Sequence, residues 1–99
     1  MLRALQTLGS NLALARRRRR ISTQSMAERL QISTMTLHRL ERGDPAVAVG
    51  TLATALHVLG ELERLSAILD TSTDELGLQL MNEAVPRRIR KKTSAPSGS

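Results

Sequence analysis

Apolar residues recur along this chain at helical spacing, and no stretch of β-branched alternation competes with them. Leu5, Leu8, Leu12 and Ala15 form one stripe of a first helix that begins at Leu2 or Ser10 and runs to Arg18. Ser22 is placed to cap a second helix reaching Leu30, with Met26, Ala27 and Leu30 buried. Gln31-Ile32-Ser33 turns the chain, and Ser33 caps a third helix from Thr34 to Arg42 that buries Leu37 and Leu40. Gly43 stands where a C-terminal glycine cap is expected, and Asp44-Pro45 completes the break.

Downstream, Val49, Leu52, Leu56 and Leu59 predict a fourth helix, ended by Gly60. Leu62, Leu65, Ile68 and Leu69 predict a fifth over Glu61–Leu69, and a turn from Asp70 to Asp74 opens a sixth that ends near Asn82. The basic stretch from Arg87 to Ser99, rich in Ser, Pro and Gly, reads as a disordered tail after Pro86. The pattern contains no internal repeat. It predicts an all-α protein of five or six helices: a helical domain over 1–60, a helical extension over 61–85 and a disordered basic tail over 86–99.

Composition narrows what such a bundle does. The 99 residues contain 17 Leu and 11 Ala but no Phe, Tyr, Trp or Cys. A core of that kind is thin, so pairing of two chains is a natural way to gain burial. Without aromatics there are no stacking platforms for single-stranded nucleic acid. Without cysteine there is no disulfide frame, thiolate nucleophile or sulfur-rich zinc site, which fits an intracellular protein best.

Charge becomes informative once it is mapped. The net +6 includes five positives in the run Arg16–Arg20 and five more in Arg87, Arg88, Arg90, Lys91 and Lys92. The rest of the chain has five basic and nine acidic residues, a balance of −4. Two basic patches on a mildly acidic body suit a polyanion, duplex DNA first among them, although either run can also be a solvated surface. Residues 1–27 hold six Arg and no acid, which superficially resembles a mitochondrial presequence; the same residues serve better as the first helix. No segment is long and apolar enough to span a bilayer, so no membrane role is expected.

Two short helices joined by a tight turn make the minimal helix-turn-helix, whose second helix enters the major groove. The segment from Ile21 to Gly43 resembles the Cro/phage-repressor (XRE) helix-turn-helix family in several positions. These are Ser22 before the second helix, Ala27 at the helix crossing, Ile32-Ser33 in the turn and Leu40-Glu41-Arg42-Gly43 at the end of the third helix. Pro45, Thr51-Leu52 and Leu59-Gly60 extend the likeness over about residues 8 to 60. The resemblance implies a lambda-repressor-like fold and sequence-specific binding of double-stranded DNA. Asp74-Glu75-Leu76-Gly77-Leu78 and Pro86-Arg87-Arg88-Ile89-Arg90 are similar to the C-terminal part of HipB-like antitoxins encoded beside HipA-type kinase toxins. Two positions depart from the family. Thr23 stands where a phosphate-touching Gln opens the second helix, with Gln24 one step on, and Gln31 replaces the turn glycine at a cost of about 1 kcal/mol.

The resemblance assigns Arg16 and Glu41 to a structural ion pair tying the first helix to the third. Thr34, Met35, Thr36, His38 and Arg39 become candidate base readers: a Thr or Met methyl meets thymine, and Arg39 suits guanine O6 and N7. Met35 alternatively packs or faces a dimer partner. Arg17, Arg18, Arg19, Arg20, Ser22, Thr23, Gln24, Ser33 and Arg42 are candidate phosphate contacts, which position a domain without reading sequence. The four arginines also suit the first helix's C-terminal dipole end.

An enzyme is the poorer reading. His38 and His57 are the only histidines, with no metal-ligand spacing, nucleophile pattern or glycine-rich phosphate loop, so no catalytic residue, metal or cofactor is expected. The expected function is a cytoplasmic, nucleoid-associated bacterial repressor, the antitoxin or autoregulator of a toxin operon. It pairs through Leu62–Met81 on a palindromic operator, with a HipA-like kinase toxin as a further partner. The alternative is chiefly a protein-interaction module that docks and neutralises such a toxin.

Overall fold

A computed structural model describes residues 1–84; the basic cluster from Arg87 to Lys92 and the expected tail lie outside the described residues. The described residues are all-helical and contain no strand. The helices are α1 (Leu2–Arg18), α2 (Thr23–Leu30), α3 (Thr34–Glu41), α4 (Val49–Leu59), α5 (Leu62–Ser66) and α6 (Glu75–Ala84). They fall into two compact units, Met1–Ser66 and a second that begins at Ala67. The first unit thus runs six residues past Gly60, because α5 packs on α4 and belongs with it.

The core of the first unit is made by Leu12 of α1, Met26, Ala27 and Leu30 of α2, Leu37 and Leu40 of α3, and Ala55 and Leu59 of α4. Leu8, Ala15, Ile21, Ile32, Leu52 and Leu56 close around it. Met26 and Leu37, 2% and 1% exposed, are the largest fully enclosed side chains, each contributing about 1.5–3 kcal/mol of burial. On α4 the expected stripe shifts: Val49 is 73% exposed, while Ala55, which the leucine pattern passed over, is 1% exposed. Leu52, Ala55, Leu56 and Leu59 are the true helical face, at i, i+3, i+4 and i+7.

Four successive helices end in the same way. Arg20, Gln31, Gly43 and Gly60 take left-handed φ values of 57°, 57°, 82° and 80°. In each case that residue's amide bonds the carbonyl three back, and the following amide reaches the carbonyl five back, which is a Schellman turn. Gln31 therefore adopts the conformation expected for it in place of glycine. The residues that follow differ by pair: Ile21 and Ile32 pack against the core, whereas Asp44 and Glu61 are acidic and meet arginines.

In α1, Gly9 makes a close approach possible. A Cβ there would lie 2.5 Å from the backbone oxygen of Glu41 and 2.8 Å from that of Leu40. A Cβ on Gly43 would meet the backbone of Leu5 and Gln6 at 2.5–2.6 Å. The two glycines thus let α1 lie against the C-terminal end of α3.

The predicted fifth helix is cut short. It stops at Ser66 instead of Leu69, because Leu69 takes φ 60° and the Asp70 carboxylate accepts from the amide and hydroxyl of Ser72. Such local bonds compete with helical ones, and they hold the Asp70 carboxyl below its ordinary range. The sixth helix starts at Glu75, one residue later than expected, because Asp74 is its cap and accepts from the Gly77 amide at 2.9 Å. It runs to Ala84.

Candidate nucleic-acid interface

The α2–α3 unit is built by two serine caps and one strained turn. Ser22 and Ser33 are extended, with ψ 162° and 159°, and each side-chain oxygen accepts the amide three residues on at 3.0 Å. A cap of this kind stabilises by about 1 kcal/mol, and it starts both helices at exposed ends. Between them Gln31, at φ 57° and ψ 43°, reverses the chain so that α3 leaves at an angle to α2. Ala27, 3% exposed, supplies a small side chain in this packed region.

Glu41 anchors α3 from behind. Arg16 Nε donates to its Oε2 at 2.8 Å and Nη2 to its Oε1 at 3.2 Å, while Nη1 donates to the Ile21 carbonyl at 2.9 Å. The two side chains are 8% and 11% exposed. The guanidinium therefore joins the end of α1, the start of α2 and the end of α3 in one contact set. The first arginine of the basic run is part of the scaffold.

With Leu37 and Leu40 turned inward, helical geometry fixes what α3 shows outward. At 100° per residue, Met35 and Arg42 lie opposite the midpoint of that pair, flanked by Thr34, His38 and Arg39. Thr34, His38 and Arg42 are exposed, and Met35 is 69% exposed, so it is not packed among the described residues. Thr36 differs. It is half-buried at the margin of the arc, and its Oγ1 accepts a hydrogen bond from the Ser33 hydroxyl at 3.0 Å, so the hydroxyl assists the cap.

Arg39 is half-exposed and held. Its Nε donates to Asp44 Oδ2 at 2.8 Å, and Asp44 Oδ1 accepts from the Ala46 amide, also at 2.8 Å. The Arg39 hydrogen bond, then the Ala46 amide, keep the Asp44 carboxyl below its ordinary value of 3.8. Sequence reading missed this contact. In the sequence Asp44-Pro45 marks a chain break alone, and a five-residue separation is no helical neighbour spacing.

The candidate phosphate contacts also divide. Ser22, Gln24 and Ser33 are exposed and Thr23 is half-buried, all at the N-terminal ends of α2 and α3, where unpaired amides and the helix dipole favour an anion. Arg17, Arg18 and Arg20 are exposed. Arg19 is engaged elsewhere: Nη1 donates to the Ala15 carbonyl at 2.9 Å, and Nη2 lies 3.7 Å from Glu61. Glu61 also lies 3.6 Å from Arg64, so Arg19 links α1 to the start of α5.

Among the described residues, every buried side-chain nitrogen and oxygen has a hydrogen-bond partner, and no group of three or more His, Asp or Glu is placed to hold a metal. No described helix is long and apolar enough to cross a membrane.

A family model described as a helix-turn-helix domain matches residues 7–78. That match spans most of the chain, and the chain belongs to the helix-turn-helix domain family. No curated protein and no solved structure matches it. Membership supports DNA as the partner of the α2–α3 unit and a DNA-binding regulator as the general class.

Proposed function

We propose that this helix-turn-helix protein is a sequence-specific repressor that binds double-stranded DNA as a homodimer and regulates its own toxin–antitoxin operon. The observation that carries the reading is the outward arc of α3. Thr34, Met35, His38, Arg39 and Arg42 stand together opposite Leu37 and Leu40, on a helix capped at an exposed N-terminus. In the major groove, Met35 and the Thr34 methyl meet thymine, and Arg39 meets guanine. The amides at the starts of α2 and α3, with Arg17, Arg18, Arg20 and Arg42, neutralise phosphates. The protein works without a cofactor, metal or reaction of its own, in the cytoplasm with the nucleoid.

Dimerisation is assigned to Leu62–Met81. On α6, Leu76 and Leu80 lie on one face and Leu78 and Met81 on the other, and they are 40–66% exposed. Apolar residues on two faces of one helix suit a segment gripped by a second copy. Two copies related by a two-fold axis present two α3 helices to half-sites about 34 Å apart.

The test is footprinting on DNA upstream of the protein's own gene, with and without the neighbouring gene's product. Protection of a two-fold site is expected, altered by a kinase-like toxin. Affinity falls with salt in proportion to the phosphates neutralised. Absence of a protected site, with the neighbour's product still bound, favours the protein-docking alternative.

A further inference from the structure

On the outward arc of α3, the half-exposed Arg39 has a built partner. We propose that Asp44 is a specificity-determining positioning residue that holds Arg39 for end-on recognition of guanine; this rests on the DNA-binding reading above. Gly43, at φ 82°, turns the chain so that the Asp44 amide bonds the Arg39 carbonyl at 3.0 Å. The same turn brings the Asp44 carboxylate to Arg39 Nε at 2.8 Å. One residue thus grips another at both backbone and side chain. The clamp is itself fixed, because Asp44 Oδ1 takes the Ala46 amide and the Val47 amide returns to the Asp44 carbonyl at 3.3 Å.

The chemistry follows from which nitrogen is used. A guanidinium offers two forks, Nε with one terminal nitrogen, or the two terminal nitrogens together. With Nε occupied by Asp44, the end-on fork of Nη1 and Nη2 remains. Guanine presents O6 and N7 side by side as two acceptors, whereas adenine pairs its N7 with an N6 donor. An arginine held along one axis offers two donors to guanine and meets a mismatch at adenine. Freed from Asp44, the side chain regains its rotamers and reaches phosphates instead. The carboxylate sharpens this further: it repels phosphate oxygens, so it lowers affinity for DNA in general while it raises selectivity.

The experiment is selection of binding sites from randomised duplexes with the full-length protein and its variants. The wild type should enrich a guanine at one position of each half-site. Arg39→Ala should weaken that preference by about five- to 150-fold, and Asp44→Ala and Asp44→Asn should each weaken it at the same position by about two- to five-fold. The Arg39→Ala/Asp44→Ala double variant should lose no more than Arg39→Ala alone. Asp44→Ala should bind random-sequence duplex more tightly than wild type. Asp44→Asn keeps an oxygen for the Ala46 amide, so it decides the matter if Asp44→Ala proves unstable by thermal unfolding. An unchanged guanine preference in the Asp44 variants, or a uniform loss of affinity for all sequences, overturns the role of Asp44 alone. A wild-type protein that enriches no sequence overturns the DNA reading as well.

Discussion

Two arginine–carboxylate pairs meet at α3, and both have an Nε–oxygen distance of 2.8 Å. Arg16–Glu41 is 8% and 11% exposed, while Arg39–Asp44 is 37% and 32% exposed. Equal geometry therefore does not mean equal work. In the buried pair, removing one partner strands a charge away from water, so the contact is a condition of folding. In the exposed pair, water replaces either partner readily, and stability gains little. What the exposed contact retains is direction: it decides where Arg39 points. Burial separates an arginine that builds the domain from one that is free to recognise something outside it.

The largest test of that contrast is Glu41→Ala. It should destabilise the protein by about 3–5 kcal/mol, read as a lower urea midpoint, with Arg16→Ala similar. Replacing both residues by apolar side chains of like volume should recover most of the loss; if it does not, the pair contributes more than compensated charge. Next is Gly9→Ala, which leaves both ion pairs untouched but pushes a methyl against the carbonyls of Leu40 and Glu41. A loss of about 1–3 kcal/mol is expected, although alanine is the better helix former. A neutral result would show that α1 can move off α3 without breaking Arg16–Glu41.

Gln31→Gly should act in the opposite direction. It relieves a left-handed residue at φ 57° and should raise stability by about 1 kcal/mol, measured by thermal unfolding. The smallest effect belongs to the exposed pair. The Asp44 carboxyl titrates below 3.8 when folded, so its stabilising contact is complete above that ordinary value and disappears as pH falls through the lowered one. An NMR titration should show that depressed midpoint, and Arg39→Ala should bring it back toward 3.8 while the urea midpoint stays unchanged. A large fall in stability would turn Arg39–Asp44 into a second structural pair.

Much of this was legible along the chain, for local reasons. Ser22, Ser33 and Gly43 announce helix ends because capping depends on a few adjacent residues, and the structure has helix ends at each. Gln31 could be assigned to a left-handed turn for the same reason. Leucine spacing located α4 and three of its inward residues, Leu52, Leu56 and Leu59, but it included the exposed Val49 and passed over the small, fully buried Ala55. The fifth helix failed where the Asp70–Ser72 bonds offered the backbone an alternative that no apolar periodicity reveals. Gly9 carried a signal that went unread: a glycine inside a helix costs about 1 kcal/mol against alanine, which is worth retaining where two backbones must touch.

The sequence by itself determined α2 and α3, their serine caps, the turn between them and most of the outward set on α3, because each depends on residues within a turn or two of one another. The family resemblance pairs Arg16 with Glu41 in advance; only the tertiary structure decided how enclosed that pair is and what Arg19 and Arg39 do. Arg16, Arg19 and Arg39 are identical in type, yet one is enclosed with Glu41, one leans on Glu61 and one is steered by Asp44. Those assignments depend on which chain segments are brought together and how much water remains between them, and electrostatic energy changes steeply with both.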